Sequence, residues 1–260
     1  MNKIGRARAS LVMLLACTMT WVGGATKLVA APIGLPTGVA GAPPAAGEPF
    51  GLTSWSVSAG TLNDRWLKLA RQLDDDRVQI ALCDGDREGC ASAAALRFLA
   101  IVDQARAREG RARVGEINRA INLAIRPASD LAQYGEEDVW SPPLATFDRG
   151  AGDCEDYAIA KYMALRQTGI AAHDLRIVIL RDTRRQEDHA IAAIRLDGHW
   201  LMLDNHRMAM VEDMDAQSVR PLFVIDETGI AAYAGAPLLL GAQSPAPAAV
   251  AASEAVAPAD

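Results

Sequence analysis

The sequence predicts an α+β protein in which helices come first and an antiparallel sheet follows. Apolar residues recur at helical spacing up to about residue 168, which is typical of amphipathic helices. After Gly169 the chain changes to short β-branched and apolar runs with no helical segment between them. Two of these runs are separated by Asp197-Gly198, a dipeptide typical of a β-hairpin turn. Strands that follow one another without intervening helices favour an antiparallel sheet.

Four helices are predicted from apolar residues three and four positions apart. They cover 62–73, about 91–108, about 114–125 and about 153–168. The third ends before Pro127, and Gly169 closes the fourth. Residues 128–149, which contain two consecutive prolines, are predicted to form a loop.

Four strands are predicted after the last helix, each as a short apolar run bounded by turn residues. They cover 175–181, 189–196, 199–203 and 221–225. The second and third form the hairpin around Asp197-Gly198.

Both ends of the chain differ in composition from the part between them. Residues 1–31 begin with basic residues and continue with an apolar run, the pattern of a signal segment. A lipid anchor at Cys17 is the alternative, and either interpretation takes the protein out of the cytoplasm. Residues 32–55 are predicted to be a flexible leader and 236–260 a disordered tail rich in Ala and Pro. A single globular domain over 56–235 lies between them.

The acidic balance of the chain excludes one class of partner. The chain has 26 Lys and Arg against 32 Asp and Glu, and residues 1–31 hold four of these bases and no acid. The remainder therefore has 22 bases and 32 acids, a net charge of −10. Such a surplus of carboxylates argues against nucleic acid as a partner and suits a cation as a ligand.

The cysteines divide into a close pair and a single thiol. Cys83 and Cys90 enclose a polar, turn-like loop, and in an oxidising compartment we expect a small disulfide there. Zinc is the competing interpretation, but no second cysteine pair completes such a site. Cys154 is the odd thiol.

The stretch from Gly150 to Tyr162 places Cys154 at the start of the fourth helix. Gly150 and Gly152 allow backbone angles that a β-carbon forbids, and Asp153 is a good N-cap residue. The helix dipole favours a thiolate at that position. The alternative is a small buried cysteine that only packs.

His189 and Asp204 are the candidates for activating this thiol, because a thiol nucleophile needs a base and a group that orients the base. His189 opens one strand of the predicted hairpin and Asp204 closes the next, so antiparallel pairing can bring them side by side. His199 and His206 compete for the role of base, and His173 is the least suited. Alternatively, the histidine is structural and the aspartate only ends a strand.

Three segments resemble the bacterial transglutaminase-like cysteine peptidases. They are Gly152-Asp153-Cys154-Glu155-Asp156-Tyr157-Ala158-Ile159-Ala160-Lys161-Tyr162, His189-Ala190 and Leu203-Asp204-Asn205. The resemblance covers roughly residues 62–230 and is greatest to the LapG type, the periplasmic proteases of biofilm adhesins. It implies a papain- or transglutaminase-like fold, with the nucleophile helix packed on the antiparallel sheet.

By position, the resemblance implies that Cys154 is the nucleophile, His189 the base and Asp204 the orienting group. It implies a periplasmic endopeptidase that cuts a large surface adhesin near its N-terminus at an Ala-Ala-like site, which releases the adhesin and promotes biofilm dispersal. It also implies a partner, an inner-membrane cyclic-di-GMP receptor of the LapD type that sequesters the protease.

The resemblance further implies a calcium ion bound by Asp153 and Glu155. With Asp156, these acids place three carboxylates beside a thiol that must ionise, and like charges raise a thiol pKa. A hard cation on oxygen ligands would offset this repulsion. The alternative is a helix N-terminus whose acids only interact with its dipole.

Two other functions stay open from the residues alone. A transglutaminase or other acyl transferase would use the same three residues with an amine as acceptor. A non-catalytic binding module would keep the scaffold without using the thiol.

Overall fold

The computed structural model describes residues 47–234 and contains, within that range, six α-helices and nine β-strands. The helices are α1 (Thr61–Gly85), α2 (Ala93–Arg106), α3 (Gly110–Ala124), α4 (Asp130–Tyr134), α5 (Pro143–Arg149) and α6 (Cys154–Gln167). The strands are β1 (Ser54–Val57), β2 (Arg126–Pro127), β3 (Ala151–Gly152), β4 (Leu175–Asp182), β5 (Glu187–Leu196), β6 (His199–Leu203), β7 (Val211–Glu212), β8 (Val219–Asp226) and β9 (Gly229–Tyr233).

Seven of these strands form one antiparallel sheet in the order β1-β9-β8-β4-β5-β6-β7. All six helices precede β4 in the chain, which confirms the predicted α+β class. Strands β5 and β6 are joined through Asp197-Gly198, whose φ angles of 52° and 85° are both positive. A two-residue hairpin turn of the type that matches strand twist requires such angles.

Helix α6 is buried along most of its length. It packs against β4 and β5 of the sheet and against α2, α3 and α5. Every residue from 156 to 165 is buried, which is typical of a helix at the centre of a core. Two of these residues, Asp156 and Lys161, are charged groups with 0% exposure.

Helix α1 extends well beyond the predicted 62–73. The alternating three- and four-residue spacing continues through Asp76 to Ile80 and Cys83, and all three are buried. Asp76 occupies a position where the pattern requires an apolar residue. The predicted helix therefore ended at residue 73, before Asp76. Its carboxylate accepts a hydrogen bond of 2.8 Å from the backbone of Leu144, in the first turn of α5.

The predicted loop at 128–149 is wrong in part, because it contains α4 and α5. Pro143 is the first residue of α5, a position at which proline is favoured. The two prolines therefore begin a helix instead of excluding one. The sequence also did not indicate β1, β7 and β9, which have four, two and five residues.

The sheet begins inside the predicted leader. Ser54 of β1 pairs with Tyr233 of β9, and Glu48 forms hydrogen bonds of 2.8 and 2.9 Å with the guanidinium of Arg176. The packed part of the chain therefore starts before residue 56.

The predicted signal segment 1–31, Cys17 and the predicted tail 236–260 lie outside the described residues. Within 47–234, none of the helices has the length and apolar character needed to cross a membrane.

Cys83 and Cys90 form a disulfide with an S–S distance of 2.08 Å. It joins the end of α1 to the segment before α2. The disulfide interpretation is confirmed, and the two sulfurs are not available to zinc. Cys154 is the free cysteine among the described residues.

Candidate active site

The candidate nucleophile Cys154 is the first residue of α6, and two glycines lead the chain to it. Gly150 ends α5 with a φ of 64°, where glycine meets no steric cost. The predicted need for a special backbone angle at Gly152 is wrong, since its φ lies outside the left-handed region. Instead, a β-carbon at Gly152 would lie 2.7 Å from Cβ of Asp156. Glycine is required there because α6 approaches so closely.

Asp153 occupies the N-cap position of α6, as predicted, but its side chain makes no capping hydrogen bond. One of its carboxylate oxygens is buried without a hydrogen-bond partner. An acid that caps no helix N–H and buries an unpaired oxygen is suited to binding a cation.

His189 and Asp204 lie together. Nε2 of His189 is 2.9 Å from Oδ1 of Asp204. The pairing of β5 with β6 ends at Ala192 and Leu203, so the two side chains meet where the hairpin strands separate. They are not a cross-strand pair within the ladder. Because Asp204 binds Nε2, Nδ1 is the ring nitrogen left to accept a proton.

The thiol of Cys154 lies beside the strand that carries His189. Helix α6 packs on β5, and the backbone of Ala190 forms a hydrogen bond with the sulfur. Ala190 directly follows His189 in the chain. The start of α6 is therefore adjacent to the open end of the hairpin, where Asp204 also lies.

Of the competing histidines, His206 is the one at the site. Its ring stacks on that of His189, with 4.6 Å between centroids and 7° between planes. Its backbone N–H donates to Oδ1 of Asp204 at 2.9 Å. Burial and the positive charge of His189 lower the pKa of His206. His199 and His173 are exposed and pair with other acids.

Asp204 is held in its ionised form. Burial alone would raise the pKa of Asp204, but hydrogen bonds from His189 and from the backbone of His206, with the charge of both imidazoles, lower it to about 2. A carboxylate that stays charged stabilises the imidazolium formed when His189 takes up a proton.

The acids around Cys154 oppose its ionisation. Burial raises the pKa of the thiol, and so do the charge of Glu155 and the hydrogen bond from Sγ to Oε2 of Glu155, at 3.1 Å. The charge of Asp153 acts in the same direction. The helix dipole acts against them but is worth about 1 kcal/mol or less at an exposed terminus. Positive charge close to these acids would lower the pKa of the thiol again.

Asp130, Asp153 and Asp156 form a candidate metal site. One oxygen from each carboxylate lies within 4.8 Å of the other two, and each residue has a buried oxygen without a hydrogen-bond partner. Burial, with repulsion from neighbouring acids, raises the pKa of Asp153 to about 9 and that of Asp156 to about 7. Converging, buried and unpaired carboxylate oxygens are the ligands that calcium prefers, so these residues fit the ion.

Main-chain donors hold the other oxygen of Asp156 and that of Asp130. The N–H of Ser141 donates to Oδ1 of Asp156 at 3.0 Å, and the N–H of Val139 donates to Oδ2 of Asp130. These bonds leave Oδ2 of Asp156 and Oδ1 of Asp130 unpaired. The segment around Trp140 thus supports the acidic cluster.

Sequence reasoning missed Asp130. Strands β2 and β3 pair in parallel, with Pro127 opposite Gly152, and this pairing brings Asp130 to Asp153. Two-residue strands leave no periodic signal, so only the preference of Ser129 for a helix start marked this region.

Glu155 lies between the thiol and the cluster. Its carboxylate contacts both Cys154 and Asp153 through hydrogen bonds. Its role as a calcium ligand stays a prediction.

The fold and the site define a class of protein. A thiol at the start of a buried helix, packed on an antiparallel sheet beside a bonded His and Asp pair, is the arrangement of papain- and transglutaminase-like thiol enzymes. Residues 78–218, more than half of the chain, match the model of the bacterial transglutaminase-like cysteine proteinases, BTLCP. The chain belongs to this family of cysteine peptidases.

Solved structures show the same fold at low sequence identity. Legionella pneumophila LapG is 19% identical, with a TM-score of 0.50 over 60% of this chain and 86% of that chain. The EGTA-treated form of the same protein is 19% identical, with a TM-score of 0.50 over 60% and 84% of the two chains. Its calcium-bound form is 18% identical, with a TM-score of 0.49 over 65% and 92%. No curated protein matches the chain.

Proposed function

We propose that the protein is an exported, calcium-dependent cysteine endopeptidase that acts through Cys154, His189 and Asp204. The observation that carries this proposal is the contact of Cys154 with the backbone of Ala190, next to the 2.9 Å pair of His189 and Asp204. Membership of a cysteine proteinase family supports the class of reaction.

In the proposed mechanism Nδ1 of His189 removes the thiol proton of Cys154, while Asp204 holds Nε2–H and stabilises the imidazolium. The sulfur attacks the scissile carbonyl carbon, a C–S bond forms and the carbonyl electron pair moves to oxygen. The N–H of Cys154 lies at the start of a helix and has no intrahelical partner, so it is suited to hold this oxyanion.

The imidazolium of His189 then gives its proton to the leaving amine, and the C–N bond breaks to leave a thioester on Cys154. His189 next removes a proton from water, the hydroxide attacks the thioester, and the acid product leaves as the thiol is restored.

Asp130, Asp153 and Asp156 would hold the calcium ion, with Glu155 next to them on the thiol side. Bound calcium supplies the positive charge that neutralises these acids. Without that charge the carboxylates keep the thiol of Cys154 protonated. Calcium suits this set better than magnesium, because multi-carboxylate sites accommodate the larger ion.

The edge of β5 next to Cys154 is suited to an extended substrate. Residues 187–191 pair with β4 on one side, whereas the pairing with β6 on the other side begins only at Ala192. A peptide strand added to this edge would be aligned by main-chain hydrogen bonds. Small side chains let the scissile carbonyl approach the sulfur closely, which supports an Ala-Ala-like cleavage site.

The resemblance to LapG-type proteases extends the proposal to the biological substrate. That substrate would be a large surface adhesin, cut near its N-terminus so that it is released and the biofilm disperses. An inner-membrane cyclic-di-GMP receptor of the LapD type would sequester the protease when the second messenger is abundant. The signal-like segment 1–31 supports a periplasmic location.

The test is an incubation of the full-length protein with an N-terminal adhesin fragment that contains an Ala-Ala pair. We expect cleavage in calcium, loss of cleavage in excess EGTA and no cleavage by Cys154→Ala. Mass spectrometry of the new termini, with and without an added amine, separates hydrolysis from acyl transfer. Cleavage by Cys154→Ala at the wild-type rate would overturn the mechanism, and intact fragment in calcium would overturn the substrate.

A further inference from the structure

Lys161 is a buried lysine that the mechanism above does not use. It lies on α6 two turns after Cys154 and has 0% exposure. Its Nζ donates to the backbone carbonyl of Leu203 at 3.3 Å. Leu203 is the last residue of β6 and begins what we call the Asp204 segment, residues 203–208.

A lysine at this depth is costly to fold. Burial lowers the pKa of Lys161, and the negative charge of Asp204 raises it. Burial has the larger effect, and the pKa is about 7. Desolvating a cation costs several kcal/mol, whereas methionine would fill a similar volume without that cost. Near neutral pH much of the amine is uncharged, and both forms can donate a hydrogen bond. What the lysine adds at this position is therefore a donor to a main-chain carbonyl.

Two asparagines of α3 hold the rest of the Asp204 segment in the same way. Asn122 donates to the carbonyl of Asp204 at 2.9 Å and to that of Arg207 at 3.1 Å. Asn118 donates to the carbonyls of Arg207 and Met208 at 3.2 and 3.0 Å. Leu203 still pairs with Ala192 of β5, but β6 ends there. Beyond Leu203 the main chain is held by these side chains and by a turn hydrogen bond of 3.4 Å from the N–H of Arg207 to the carbonyl of Asp204.

We propose that Lys161, assisted by Asn122, is a positioning residue for Asp204. Its bond to Leu203 sets the main chain from which the Asp204 carboxylate reaches His189, and it ties that main chain to the nucleophile helix α6. This inference rests on the proposed function in so far as Asp204 orients His189. Lys161 contacts no substrate and acts through Asp204.

The variants separate the donor from the charge. Lys161→Met removes the hydrogen-bond donor and the positive charge with a side chain of similar volume. Lys161→Gln removes the charge but keeps a hydrogen-bond donor. Lys68→Met, at an exposed lysine of α1, is the matched control. Two readouts are compared: kcat and KM on the adhesin fragment, and the pH profile of Cys154 alkylation by iodoacetamide, which needs no substrate.

We expect Lys161→Met to lower kcat on the order of 10- to 100-fold, as a displaced catalytic group does, with little change in KM. Its alkylation profile should move towards that of His189→Ala. Lys161→Gln should recover most of the activity, and Lys68→Met should match the wild type. Wild-type kcat and a wild-type alkylation profile in folded Lys161→Met would overturn the proposal.

If circular dichroism shows that Lys161→Met does not fold, Asn122→Leu is used to test whether these donors position Asp204. It removes the donor to the Asp204 carbonyl from a half-buried position, and kcat at the wild-type level would overturn the proposal. If the wild type cleaves no peptide, the proposed function fails, while the alkylation profiles still decide whether Lys161 positions Asp204.

Discussion

His189 and Asp204 form a 2.9 Å hydrogen bond at the point where the strands that carry them separate. A cross-strand pair inside the sheet would be held by ladder hydrogen bonds on both sides. Asp204 instead follows the last residue of β6, and its carbonyl accepts a hydrogen bond from Asn122, a side chain of α3. The geometry of the pair therefore depends on how the helices pack against the sheet.

The first prediction is that Asp204→Asn lowers kcat by on the order of 100-fold or more. Asparagine keeps the shape of the side chain but does not carry the charge that stabilises the imidazolium of His189. Asp64→Asn, at an exposed position of α1, is the control and should keep the wild-type rate. Unchanged kcat in Asp204→Asn would remove this residue from the mechanism.

The difference in stability between Asp204→Asn and the wild type should depend on pH. The pKa of Asp204 is about 2 in the folded protein, below its ordinary 3.8, so its charge stabilises the fold above about pH 4 and this contribution is lost as pH falls towards 2. We expect Asp204→Asn to be less stable than the wild type at neutral pH, by on the order of 2 kcal/mol. The difference should shrink below pH 3 in urea unfolding.

The hairpin and the cysteine helix could be predicted because their signals are local. Asp197-Gly198 specifies a turn by itself, and the spacing of apolar residues specifies α6. Those two elements predicted the pairing of His189 with Asp204 and the place of Cys154 at the start of α6, and the structure shows both.

The remaining ligands and supports could not be predicted, since they depend on contacts between distant segments. Asp130 reaches Asp153 through a two-residue parallel pairing that has no sequence signal. Asp76 interrupts an apolar pattern because it caps a different helix. Lys161 falls in an apolar stripe and reaches a main-chain carbonyl that only the folded sheet brings near.

The second prediction tests the acidic cluster at its member furthest in sequence from the thiol. Calcium should raise the melting temperature of the wild type, since a ligand bound only to the folded state stabilises it. Asp130→Asn should lose that increase, and in EGTA it should be at least as stable as the wild type, because one buried charge is removed. Asp148→Asn, at an exposed position of α5, should respond to calcium as the wild type does. Equal calcium responses in Asp130→Asn and wild type would exclude this cluster as the site.

The third prediction concerns Asp76. Burial is the main cause that raises its pKa to about 6 from an ordinary 3.8. The folded state therefore holds a proton that the unfolded state releases, and the free energy of unfolding should fall as pH rises from about 4 to about 6. Asp76→Asn should weaken this dependence, with Asp75→Asn as the exposed control. Parallel stability curves for Asp76→Asn and wild type would show that Asp76 titrates normally.

The fourth prediction is that the disulfide contributes to stability but not to catalysis. Peptide mapping of the protein purified without reductant should find Cys83 linked to Cys90 and Cys154 free. Replacing both paired cysteines by alanine should lower the free energy of unfolding by about 2 to 3 kcal/mol, as expected for a short closed loop. The kcat at a temperature where the variant is folded should be unchanged. Finding both residues as free thiols would contradict the pairing.

The last prediction concerns the cleavage site. We propose that the open edge of β5 binds an extended chain. Because Cys154 is half-buried, bulky neighbours of the scissile bond would hold the carbonyl away from its sulfur. Replacing the Ala-Ala pair of the adhesin fragment by two bulky charged residues should lower kcat/KM on the order of 100-fold or more. A Gly-Gly substrate is the control for size and should still be cut, because glycine removes bulk without adding charge. In cells the corresponding adhesin variant should stay on the surface, and its N-terminus should be missing from the culture supernatant. If the charged variant is released at the wild-type rate, this protease does not select its substrate at that pair, and the edge of β5 is not where the adhesin binds.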